Sequence, residues 1–101
     1  TGGDRAAAEE LVTMTVEDAR QRFAELAAAI GDGDAKMAAT VAHSLAGIAL
    51  AIGGMELGHL AKRIEAGARA EHPDACRAIL AELDIALDRL EQALRQTDWS
   101  A

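Results

Sequence analysis

The sequence predicts an all-α domain, an antiparallel up-down four-helix bundle. Three observations carry this. The chain is alanine-rich, poor in β-branched residues and has a single proline, Pro73, a composition that favours helix over strand. Apolar residues recur at spacings of three and four along four segments. The breaks between those segments are short and marked by glycine, aspartate or proline, which suits antiparallel neighbours. At 101 residues the chain is one domain with room for a small core, and at 50% hydrophobic but 2% aromatic residues that core is aliphatic.

The first helix is predicted over about Val16–Ile30. Thr15 with Asp18 resembles a capping box in which Asp stands for Glu, and Ala19, Phe23, Leu26 and Ile30 form the apolar face. Residues 1–14 read as a tail or a short extra helix around Ala6–Leu11, 15–97 as the bundle and 98–101 as a C-terminal tail. In Gly31-Asp32-Gly33-Asp34 a glycine can adopt the left-handed C-cap, and Asp32 or Asp34 can cap the next helix. The second helix spans about Ala35–Ile52, with Met37, Val41, Leu45, Ile48 and Ile52 as its stripe. Gly53-Gly54 ends it. The third, about Met55–Arg69, has the stripe Leu57, Leu60, Ile64 and Ala68 and forms a hairpin with the second. The fourth opens with Pro73 at its first position and carries Cys76, Leu80, Leu83, Leu87, Leu90 and Leu94, with Ile79 and Ile85 broadening the face, to an end near Thr97. Cys76 reads as a small buried hydrophobe, and Trp99 as a cover for the bundle end.

The net charge of −7 argues against nucleic acid and against an anionic membrane surface as partners, since no basic stripe is available to displace counterions. One cysteine excludes an intrachain disulfide and argues against structural zinc. No apolar run reaches the roughly 18 residues of a membrane span, and residues 1–20 do not read as a signal peptide. His59 and His72 lack metal-ligand spacing with His43, and no glycine-rich nucleotide loop is present. The reading is a domain with no cofactor and no metal of its own.

One face does not fit the amphipathic pattern. His43 points nearly opposite the stripe of the second helix, so it is expected in solvent. Ala39, Ala46, Gly47 and Leu50 are expected around it, with Lys36 two turns away, where charged residues would be ordinary. Glycine at 47 costs the helix about 0.5–1 kcal/mol relative to alanine. A small-residue apolar face around an imidazole invites a second surface to come close. The pattern equally describes an ordinary surface histidine in an alanine-rich chain.

The segment Ala42-His43-Ser44-Leu45-Ala46-Gly47, followed by Ile52-Gly53-Gly54-Met55-Glu56-Leu57, resembles the signature of histidine-containing phosphotransfer (HPt) domains. His43, Leu45, Gly47 and Gly53 stand in the positions of the family's His-x-Leu-Lys-Gly and its later glycine, and Leu57, Leu60, Ile64 and Glu65 continue like its third helix. The resemblance covers about Val16–Leu94. It departs at Ala46, where the family usually has a lysine beside the phosphoryl group; Lys36 or a partner side chain could compensate.

The resemblance implies a phosphorelay intermediate. Nε2 of His43 would take a phosphoryl group from a receiver-domain aspartate and pass it to a response regulator, imidazole offering a neutral nucleophilic nitrogen near neutral pH. Lys36, Ala39, Ser44, Ala46, Gly47 and Leu50 would contact the partner, Ser44 also being placed to bond the imidazole or a helix carbonyl. The receiver would supply the acidic pocket and Mg²⁺. It further implies a cytoplasmic monomer without catalytic activity in isolation, free-standing or part of a membrane-bound hybrid sensor histidine kinase. The alternative is a docking module that binds a receiver without transfer, the reading Ala46 favours. A chemotaxis-type kinase's phosphoacceptor domain is a third reading, and an unrelated structural bundle survives only if His43 is buried. Bundles of dimerising histidine kinases are disfavoured because Ser44, not an acidic residue, follows His43. Lys62 and Arg63 are within reach of His43 across the hairpin but read as solvated charges, and Glu65 has no evident chemistry.

Overall fold

A computed structural model describes residues 2–97, with side chains from Arg5 onward. It contains α1 (Gly2–Gly31), α2 (Ala35–Ala51), α3 (Met55–Arg69) and α4 (Pro73–Gln96), and no strand among the described residues. Each helix packs on the next in chain order, and α4 closes back on α1, so the four form an up-down bundle. The C-terminal tail reading for 98–101, and Trp99 with it, falls outside the described residues.

Three turns of one design connect the helices. Each has three residues, 32–34, 52–54 and 70–72. In each, the last residue donates to a carbonyl five back: Asp34 to Ala29 at 2.9 Å, Gly54 to Ala49 at 2.7 Å and His72 to Gly67 at 2.9 Å. The middle residue donates three back, to Ile30, Leu50 and Ala68. This double closure satisfies carbonyls the helix end would leave orphaned, and it requires a left-handed middle residue. Gly33 (φ 73°) and Gly53 (φ 81°) meet that requirement without strain, whereas at the third turn Glu71 adopts it (φ 59°). The last residue of each turn also caps the following helix, and Asp34 does so with its side chain, accepting from Met37 N at 3.0 Å.

The first helix begins earlier than predicted. α1 is continuous from Gly2, with no cap at Thr15. Thr13 and Thr15 donate instead to the carbonyls of Glu9 and Leu11. A hydroxyl that bonds back one turn stays inside a helix rather than starting one.

The core is aliphatic and small. Leu26, Leu45, Leu57, Ile64, Leu83 and Leu87 are fully enclosed, with Cys76 among them, and alanines fill the space between. Two stripe assignments differ from the sequence reading. Met37 is half exposed and Ile85 is 53% exposed, while Ala38, Ala42, Ala49 and Ala86 lie in the core. Close approach of the α2 and α3 backbones needs side chains this small, and Gly58 is part of the same contact: a Cβ there would lie 2.7 Å from Leu50 Cδ2. At the other seam, Arg20 of α1 bridges Asp88 (2.7 Å) and Glu91 (2.6 Å) of α4. The two carboxylates hold the guanidinium pKa above its ordinary value.

Candidate functional site

His43 lies midway along α2, on the edge that faces α3. Its side chain is 76% exposed, so the expectation of a solvent-facing imidazole holds and the unrelated-bundle reading loses its condition. One ring nitrogen is engaged: Nδ1 lies 3.2 Å from a carboxylate oxygen of Glu65 on α3. Nε2 has no hydrogen-bond partner among the described residues.

Glu65 is the residue the sequence reading left without a role. Its side chain is only 17% exposed, and Arg69, one turn on, binds the same carboxylate through Nε (3.3 Å) and Nη2 (2.8 Å). The Arg69 hydrogen bonds, with a lesser contribution from His43, hold the Glu65 carboxyl below the usual carboxylate range. An ionised carboxylate can only accept, so a neutral His43 places its proton on Nδ1 and its lone pair on Nε2. A nucleophilic nitrogen then faces solvent, and a fixed negative charge lies behind the ring. In the folded hairpin the pair is symmetric about Gly54 rather than about Gly53 at the centre of the turn, so counting from the glycine break in the sequence does not single it out.

Two of the expected contact residues are elsewhere. Ala39 and Ala46 are buried, at 5% and 3% exposure, beneath the α2–α3 seam rather than on the surface. Helix α2 packs against both α1 and α3, which turns its buried arc toward α3 and takes in these alanines. Ser44, Gly47, Lys36 and Leu50 are exposed, Leu50 partly, and form the outer surface along with Thr40. A Cβ built on Gly47 meets no atom within 4 Å, so nothing inside the domain requires glycine there. An open groove lined by Lys36, Thr40 and Arg69 lies nearer the start of α2, and His43 is not part of its lining.

Other chemistry-bearing residues stay apart from His43. Arg63 turns away toward α4, where it faces Glu82 at 3.7 Å. His59 is exposed, and His72 is exposed in the turn before α4. Cys76 is buried against the Ile64 carbonyl, and burial pushes its thiol pKa up. Among the described residues no group of three or more His, Cys, Asp or Glu is placed to hold a metal ion, and no helix is long and apolar enough to cross a membrane.

The family model described as "Hpt domain" matches residues 10–101. Neither a curated protein nor a solved structure gives a significant match. The matched span contains the whole α2–α3 hairpin with His43, Glu65 and Gly47, as well as α4. The chain therefore belongs to the Hpt domain family, the helical bundles of histidine phosphotransfer in two-component signalling.

Proposed function

We propose that His43 is the phosphoacceptor of a phosphorelay intermediate, taking its phosphoryl group from a receiver-domain aspartate and passing it to a response regulator. The observation that carries this is the exposed imidazole whose Nδ1 is held by Glu65 while Nε2 is left to solvent. In the forward step the Nε2 lone pair attacks phosphorus. The Nε2–P bond forms, the P–O bond to the receiver's aspartate breaks, and that carboxylate leaves with the electron pair. Nδ1 keeps its proton, so the ring becomes cationic, and the ionised Glu65 carboxylate offsets that charge. Onward transfer is the same step in reverse with a second aspartate.

The receiver supplies the acidic pocket and Mg²⁺, and the bundle supplies a rigid, approachable nucleophile without a cofactor. Gly47, Leu50, Ser44 and Lys36 form the docking surface, while Ala39 and Ala46 act beneath it by letting α3 bring Glu65 to His43. A small, transient docking interface would give modest affinity and rapid exchange of partners. The domain works as a cytoplasmic monomer, free-standing or within a sensor kinase.

The test is transfer from a phosphorylated receiver with Mg²⁺ to the wild-type chain and to His43→Gln, with label followed at neutral or alkaline pH. Label on the wild type alone supports the relay. Receiver binding without label on either protein would overturn it in favour of a docking module.

A further inference from the structure

All eight arginines are paired with carboxylates. The two lysines, Lys36 and Lys62, are the cationic side chains with no hydrogen-bonded or ion-paired partner among the described residues. In a chain of net charge −7 with 17 acidic residues, an unpaired lysine has had many carboxylates to choose from. Both flank the candidate site.

Their distances from His43 differ. Lys36 lies two turns earlier on α2, about 10 Å along the axis. Lys62 comes from the facing helix, one turn before Glu65 and on the same face. The contacts His43–Glu65 and Leu50–Gly58 set the register of the hairpin and bracket Lys62, which falls opposite Ala46. The α2 residue opposite Lys62 and its neighbour in sequence are both small. Ala46 offers a buried methyl, and Gly47 has no side chain. A lysine stem of roughly 6 Å can span about one helical turn across such a gap.

A phosphoryl group on Nε2 needs a cation. It would add negative charge near Glu65, which is already ionised, and Arg69 is engaged with Glu65 through two nitrogens. From this juxtaposition we infer that Lys62 is the phosphoryl-facing cation of the site, donating from Nζ across the hairpin to the oxygens of phosphorylated His43. The inference rests on the phosphoacceptor reading of His43. Lys62 touches the transferred group only after it arrives, so its effect is on the phosphorylated state and on the charge that develops as it forms.

The experiment phosphorylates the 101-residue chain with phosphoramidate and titrates the phosphoryl resonance by ³¹P NMR in wild type, Lys62→Gln, Lys62→Arg and Lys36→Gln. A unit charge about 5 Å away in water moves such a midpoint by about half a pH unit. Lys62→Gln is expected to raise the phosphoryl midpoint by that amount and to slow acceptance from a receiver several-fold. Lys62→Arg should keep the wild-type midpoint, and Lys36→Gln, at twice the distance and screened by salt, should move it by less than half as much. A labelled chain whose midpoint is the same with and without Lys62, or moves equally for Lys36→Gln, overturns this inference alone. A chain that takes no phosphoryl group from phosphoramidate or receiver overturns the phosphoacceptor reading, and this inference falls with it.

Discussion

Replacing Gly47 is expected to strengthen the fold and weaken the function. Gly47 sits inside α2, is exposed, and has a helical rather than left-handed backbone. A Cβ there meets nothing within 4 Å, so no clash offsets the gain in helix propensity. Alanine at 47 should therefore add about 0.5–1 kcal/mol to unfolding stability, or about 4 °C in Tm for a domain of this size. Urea denaturation and thermal melts measure that gain. Gly47→Gln should also fold at least as well as wild type, but its side chain projects into the surface one turn from His43, where a receiver would have to approach. Transfer should then fall at least tenfold, a loss of about 1.4 kcal/mol in the docked state. A Gly47→Ala protein less stable than wild type would refute the open surroundings assigned to this position. A stable Gly47→Gln protein that accepts phosphate at the wild-type rate would refute the placement of the docking face.

Glu65→Gln keeps an acceptor for Nδ1–H but removes the charge behind the ring, so transfer should slow by roughly tenfold, while the melting temperature should fall slightly as the Arg69 ion pair is lost. Glu71→Gly should stabilise the domain by up to about 1 kcal/mol in chemical denaturation, because glycine adopts the left-handed turn that glutamate occupies at a cost. The Glu91 carboxyl is held below the ordinary range by Arg20 and then Arg95, so the folded state binds its proton less tightly than the unfolded chain. That contribution is present above the ordinary glutamate range, near pH 4.3, and is lost as pH falls through the lower folded value. Urea midpoints taken from pH 7 down to 3 should fall over this range, with a shallower fall in Arg20→Gln.

Some of the site follows from single-helix periodicity. The outward direction of His43, the lone mid-helix Gly47 and the breaks at Gly33 and Gly53 are properties of one helix or one turn, and a 3.6-residue repeat or a glycine reports them directly. Periodicity is weaker where side chains are small. Ala39 and Ala46 carry little hydropathy contrast, and the arc of α2 that is buried depends on two neighbours at once, so a projection centred on the larger residues placed Met37 inside and these alanines outside. On α4, likewise, the larger Ile85 faces solvent while Ala86 is buried. The start of α1 is not legible in the sequence, because Thr15 looks like a cap, whereas a threonine bonded back to Leu11 continues a helix.

The sequence by itself determined four helices, their order, an aliphatic core and an exposed histidine, because helix propensity, amphipathic spacing and turn chemistry are local. Only the tertiary structure decided what that histidine faces. The partnership of His43 with Glu65, the engagement of Arg69 and the position of Lys62 across from Ala46 all depend on the register between α2 and α3. That register is set by the closure of the turn at 52–54 and by Leu50 seated on Gly58, contacts between residues whose pairing no single-helix pattern encodes.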